Sequence, residues 1–210
     1  MTNQPVHGAQ DNTLQLVVYS DYVCPWCYVG QAVIEELRSE RPVEVRWKPF
    51  FLRPDTPPEG MTLPQEIQAR IALHNPLPAR AKAAGLPFIQ NMYMPNTQRA
   101  HEATEFALDK GHGEEFHRAV FHQYFGLGKD IGQWAVLKAV AAEVGLDPDE
   151  MERSVESGAF RSRFEESLRE AHEIGVTGVP TYVLDDKIGI VGAQGIEAFH
   201  RAITQIAQTP

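Results

Sequence analysis

Cysteine is scarce in this chain of 210 residues, which has only two, Cys24 and Cys27, three positions apart. Two cysteines cannot build the cross-linked framework of a small secreted domain. A bridge closing so short a loop would also constrain the unfolded chain little, so reactivity is the better reason for the pair. Cations are in the minority too, with 19 Lys and Arg against 28 Asp and Glu and a formal net charge of -9. That balance speaks against nucleic-acid partners, because such affinity comes mainly from Lys and Arg neutralising phosphates. It also disfavours anionic membrane surfaces. No apolar run reaches the roughly 18 residues that could span a bilayer. The stretch from Met1 to Thr13 has neither a basic start nor the apolar segment of a signal peptide, so the expected location is the cytoplasm. What is present, 43% hydrophobic and 22% charged residues, is the composition of an ordinary globular protein.

Periodicity divides the chain. Leu14 to Tyr19 is a β-branched and apolar run, expected as a buried strand ending just before the cysteines. After Pro25, the apolar positions Val29, Ala32, Val33 and Leu37 recur at helical spacing up to Pro42. Val43 to Trp47 then alternates as a strand with one covered face. From about Gly60 to Gly175 the pattern is helical. Asn96 and Thr97 are placed to cap a helix that runs to Lys110 and stops at Gly111. Apolar stripes follow at Phe116, Val120 and Tyr124, at Leu137, Val140, Ala141 and Val144, and at Phe160, Phe164, Leu168 and Ala171. Thr181 to Leu184 and Ile188 to Val191, joined across Asp185-Asp186, form an expected hairpin, and Ile196, Phe199, Ile203 and Ile206 a final amphipathic helix. The expected order is β-α-β, helical insertion, β-β-α. Residues 1–12 are a polar tail, residues 13–60 and 176–210 one discontinuous domain, and residues 61–175 the insertion.

The residue before a proline is pushed out of the α region, whereas proline itself is favoured at the first helical position. Cys24 is therefore the expected N-cap of the helix that Pro25 begins. Cys27 lies one turn further on, within reach of a disulfide. Unpaired backbone N–H groups and the positive end of the helix dipole favour a thiolate at that end of a helix. Cys24 is accordingly the expected nucleophile, and Cys27, further inside and more buried, the resolving sulfur. Trp26 is expected to lie over the site, with Pro25 beside it. Half of a zinc site is the other use of such a pair. No second Cys pair exists, however, and His112, His117 and His122 are each five apart, about 140° around a helix. No metal is expected.

Gly178-Val179-Pro180-Thr181 stands just before the hairpin. Pro180 could simply open a strand. A cis Val179–Pro180 bond would instead turn the loop so that Val179 offers its backbone to an extended substrate beside Cys24.

The order Cys-Pro-x-Cys, helical insertion, Gly-Val-Pro-Thr resembles the DsbA-like branch of the thioredoxin superfamily, and within it the FrnE-like proteins. The likeness runs through Asp21 to Gly30, Trp47 to Leu52, Asn96-Thr97 with Ala100-His101, Tyr124 to Ile131, and Gly178 to Gln194. It implies an α/β thioredoxin fold with a large all-helical insertion, disulfide exchange at Cys24 and Cys27, and a cis proline at Pro180. The partners it implies are protein or peptide thiols and disulfides, together with an oxidant or reductant that recycles the pair. No cofactor is needed beyond the redox-active disulfide, and glutathione stays open as a co-substrate. Two features depart from relatives. The additional C-terminal cysteine pair of some FrnE-like proteins is missing, and Val18 stands where thioredoxin has a buried charged residue assisting proton transfer. Asp21 and Lys48 are the candidates to replace that helper, although Asp21 could equally be a turn residue and Lys48 a solvated strand residue. Asn96 and His101 could line the groove over the site, or be an N-cap and a helix-surface or satisfied polar residue. The competing functions are a glutathione-dependent isomerase or transferase of the 2-hydroxychromene-2-carboxylate isomerase and kappa-class group, and a non-catalytic holdase-like module.

Overall fold

The computed structural model of the chain describes residues 13–208, so the polar tail expected over 1–12 lies outside the described residues. Strand β1 (Leu14–Ser20) is the apolar run before the cysteines, and it is apolar because it is central. On one side it pairs in parallel with β2 (Val43–Pro49), Leu14 opposite Val43 and Ser20 opposite Pro49. On the other it pairs antiparallel with β5 (Thr181–Leu184), Tyr19 opposite Thr181. Strand β6 (Ile188–Val191) completes the sheet in the order β2-β1-β5-β6. The β5–β6 turn uses Asp185 at φ 48° and Asp186 at φ 54°, the left-handed pair of a type I′ turn, closed by Lys187 N donating to Leu184 O at 2.9 Å. Asp185 also fastens the turn to β1, its Oδ1 accepting from Gln15 N at 2.9 Å.

Helix α1 (Pro25–Glu40) connects β1 to β2. The segment between β2 and β5 holds the two-residue strand β3 (Met61–Thr62), α2 (Gln65–Leu73), α3 (Leu77–Ala83) and the two-residue strand β4 (Tyr93–Met94). It continues with α4 (Gln98–Asp109), α5 (Gly113–Phe121), a π-helical turn (His122–Gly126), α6 (Trp134–Glu143), α7 (Pro148–Glu156) and α8 (Arg161–Glu173). Helix α9 (Ile196–Gln208) closes the described chain. The insertion is helical except for the β3–β4 ribbon, in which Met61 faces Met94. The ribbon is too short to leave a periodic signal in sequence.

Two apolar cores result. One fills the space between the sheet and α1 with α9, from Leu16, Val18, Ile34, Leu37, Leu184 and Phe199. The other lies within the insertion, where Phe116, Phe121, Leu137 and Val140 meet Cys27, Tyr28 and Val29 from α1. Helix α1 therefore buries its first turns, from Cys24 to Val29, in the second core and Val33, Ile34 and Leu37 in the first.

Gly30 makes the close approach on that helix possible. A Cβ there would lie 2.4 Å from the Tyr182 hydroxyl and 3.5 Å from Pro180 Cγ. The same hydroxyl donates to Gly30 O at 3.1 Å, and Tyr182 is buried, so the ring cannot swing away. Gly30→Ala is expected to destabilise the fold by about 1–3 kcal/mol, the usual cost of overpacking. A urea midpoint equal to that of the unsubstituted protein would contradict the contact.

Candidate active site

The two sulfurs occupy the first turn of α1. Cys24 is its N-cap, with φ -88° and ψ 108°, and Pro25 follows at the first helical position. Cys24 Sγ accepts from Cys27 N at 3.4 Å, while the Cys24 backbone N–H donates to Asp21 O at 2.9 Å. Both cysteines are free thiols. Burial pushes the Cys27 thiol well up, and the adjacent Cys24 sulfur adds to the effect. Cys27 is thus held in its thiol form at neutral pH.

Cys24 is covered as well, at 2% exposure against 3% for Cys27. The expectation that Cys27 would be the more buried of the two is thereby corrected. The cover is the Val179–Pro180 segment, 155 residues away, where Val179 O accepts from Cys24 Sγ at 3.4 Å. The Val179–Pro180 bond is cis, and Pro180 is buried with Val179 half-buried. The loop stays in register with the hairpin because Gly192 N donates to Pro180 O at 2.7 Å.

Beneath the cysteines is a buried polar layer that the sequence only half revealed. Asp21, fully buried, accepts from Leu52 N at 2.7 Å and lies 3.3 Å from His101 Nε2. His101 is itself buried, and so is the satisfied polar residue of the two simpler alternatives rather than the helix-surface one. Tyr22 packs on both His101 and His117, with ring centroids 4.8 and 5.3 Å away. His117 stacks on Trp47 at 3.9 Å, with Nε2 3.2 Å from Ser20 Oγ. Burial first, then His101 and Arg118, hold the His117 pKa well below that of an ordinary imidazole. Above about pH 6.5 the imidazole is neutral in both folded and unfolded chains; below it the unfolded chain takes up a proton that the folded one refuses. Stability should therefore fall on acidification through that region, by up to about 1.4 kcal/mol per pH unit for this one group. Urea midpoints between pH 7 and 5 test this, since His117→Gln should make the slope shallower whatever it does at pH 7.

Trp26 forms one wall of an open cleft of about 570 Å³ beside the cysteine turn, with Pro25, Leu52, Ile67, Arg70 and Phe125 among its other walls. The Arg80 guanidinium lies over the Trp26 ring at 5.4 Å. Phe50 and Phe51 are half-buried, and Phe51 meets Phe164 edge to face.

Two further residues lie apart from the thiols. Lys48 is ion-paired with Glu170 of α8, and that carboxylate also accepts from the Tyr19 hydroxyl at 2.9 Å. Asn96 precedes the Thr97 cap of α4. Its Oδ1 accepts from Gln98 N at 3.0 Å and its Nδ2 donates to Thr56 O at 2.7 Å, beside a separate polar cavity with Arg99 and Glu102. Asn96 therefore shapes the entry to α4 and does not line the cleft at Trp26. Among the described residues no group of three or more His, Cys, Asp or Glu could hold a metal ion, and no helix is long and apolar enough to cross a membrane. The cleft itself was missed in sequence, because α2 buries no residue and so carries no complete apolar stripe.

Comparison with known proteins agrees with this architecture. The chain is 33% identical over 195 residues to the protein YwbO of Bacillus subtilis (strain 168), covering 91% of this chain and 96% of that one. It is 25% identical over 188 residues to the 2-hydroxychromene-2-carboxylate isomerase of Sphingobium xenophagum, covering 81% and 88%. The solved structure of a probable DsbA oxidoreductase, SCO1869 of Streptomyces coelicolor, superposes with a TM-score of 0.83 at 29% identity, covering 94% of this chain and 91% of that chain. The family model for the DSBA-like thioredoxin domain matches residues 15–204. This chain belongs to that family, and its fold is the DsbA-like thioredoxin fold.

Proposed function

We propose that the protein catalyses thiol/disulfide exchange, with Cys24 as the attacking sulfur, Cys27 as the resolving sulfur, and the backbone at Val179–Pro180 as the contact for the substrate chain. The observation that carries this reading is the position of both thiols on one helical turn with Cys24 Sγ against Val179 O. In the reducing direction the Cys24 thiolate attacks a substrate disulfide, one substrate sulfur leaves as thiolate and takes up a proton, and a mixed disulfide remains. Cys27 then loses its proton and attacks Cys24 Sγ, which releases the second substrate thiol and leaves the Cys24–Cys27 disulfide. Running backwards, the same steps oxidise a dithiol.

The two electrons reside in the sulfurs, so no separate cofactor enters, and a cellular thiol or disulfide recycles the pair. Residues 13–60 and 176–210 are the catalytic unit, and residues 61–175 supply the cleft wall. In the cytoplasm, the location we assign, thiols are kept reduced, which favours reduction or isomerisation over oxidation. The likeness to the isomerase supports a second reading, a glutathione-dependent isomerase or transferase. That chemistry makes no use of a resolving sulfur, which weighs against it here.

Equilibration of the protein in glutathione buffers of graded ratio tests the first reading. A single two-electron transition between dithiol and intramolecular disulfide is expected. A protein that takes up glutathione at Cys24 without ever closing on Cys27 would leave the second reading in possession.

A further inference from the structure

We propose that the cleft beside Trp26 binds a small organic anion with an apolar body, and that Arg53 and Arg70 select for its charge. This deepens the exchange reading by naming a substrate class, and rests on it. Helix α2 buries no side chain, yet its Ile67, Arg70 and Ile71, with the capping His74, all line the cleft. Positions spaced by three and four form one helix face, so α2 turns Ile67 and Ile71, both half-buried, toward an open space rather than toward protein. Leu52, Trp26 and Phe125 form apolar surface across from it. A concave volume of about 570 Å³ is of the size that encloses a small molecule.

The charge of the lining is the second observation. Among the described residues no Asp or Glu lines this cleft, whereas Arg53, Arg70 and His74 do. Among the described residues neither Arg53 nor Arg70 is paired with a carboxylate, and both are exposed. The neighbouring amides are already engaged, Asn75 Nδ2 with Gln90 Oε1 at 2.8 Å and Asn91 Nδ2 with Tyr124 O at 2.6 Å. In a chain of net charge -9, two free guanidiniums over an apolar floor form a local cationic field. They present the forked donors that suit a carboxylate or sulfonate. A ligand seated there lies against Pro25 and Trp26, the two residues between the cysteines.

Fluorescence titration of the full-length reduced protein with anilinonaphthalene sulfonate and with phenylnaphthylamine, the same ring system without the sulfonate, tests the cleft without any redox step. The sulfonate should bind about tenfold more tightly, the worth of one partly desolvated charge-assisted contact, and the Arg53→Gln/Arg70→Gln double variant should lose that preference. Ile71→Glu should weaken both probes. Equal affinity for the two probes, a preference that survives in the double variant, or indifference to Ile71→Glu would each overturn the proposal.

Exchange rates supply the link to function. The ratio of kcat/KM for dithiobis(nitrobenzoate) over the uncharged dithiobis(nitropyridine) should fall about tenfold in the double variant. If neither disulfide is reduced while the sulfonate preference holds, the exchange reading fails and the anion cleft stands. If both are reduced with an unchanged ratio, the cleft fails and exchange stands.

Discussion

A Cys27→Ser variant offered a disulfide-bearing protein should accumulate as a covalent adduct through Cys24, whereas Cys24→Ser should form none. The asymmetry follows from the first turn of α1. Cys24 caps the helix where a developing thiolate meets backbone N–H groups, and it faces Val179 O at the 3.4 Å contact along which substrate would arrive. Cys27 is one turn inside, and burial keeps its sulfur protonated until the first disulfide has formed beside it. Removing Cys27 leaves the first step intact and deletes the second, so the intermediate is trapped. Removing Cys24 deletes both. Turnover should fall by about 10³-fold or more in either variant, as expected when residues act as one unit. Intact-mass spectrometry without reductant reads the adduct directly. An adduct on Cys24→Ser, formed through Cys27, would reverse the assignment of the two roles.

Asp21→Ala should cost about 3–5 kcal/mol, the range for removing one partner from a buried charged contact. The carboxylate is fully buried and serves Leu52 N at 2.7 Å, His101 Nε2 at 3.3 Å and Val23 N at 3.5 Å. Alanine would leave the buried His101 ring and the half-buried Leu52 and Val23 N–H groups without this acceptor, at up to about 1–3 kcal/mol for a fully buried donor. It would also loosen the turn whose carbonyl holds Cys24 N, so the alkylation rate of Cys24 should change with stability. Asp21→Asn keeps an acceptor for Leu52 N and should cost less than half as much. Urea unfolding of the two variants decides: an alanine variant within about 0.5 kcal/mol of the unsubstituted protein would show that other groups carry the turn.

The sequence exposed whatever had period and punctuation. β1, α1 and β2, and the hairpin with α9, were legible because each buries one face of a regular element between Pro, Gly or Asp markers. The caps of α1 and α4 were legible for the same reason. Residues 51–95 were not, because two-residue strands and the seven-residue α3 are shorter than any pattern that could identify them. Long-range cover was equally invisible. The Gly178–Thr181 motif placed Val179 beside Cys24, but nothing in the sequence announces that it will bury the sulfur, nor that Asp21 will meet a histidine 80 positions on. The spacing of His117 rightly spoke against one shared face with its neighbouring histidines. It could not show that Tyr22 would pack against both the His117 and the His101 rings.

Helix α1 is shared by two cores, and folding and reduction of the pair are therefore legs of one thermodynamic cycle. Whatever the cores gain or lose when the first turn tightens around a disulfide must reappear in the reduction potential, at about 30 mV for each 1.4 kcal/mol. The potential is in that sense a property of the whole helix and its neighbours. A substitution deep in either core, several turns from any sulfur, can retune the redox chemistry simply by favouring one form of α1 over the other.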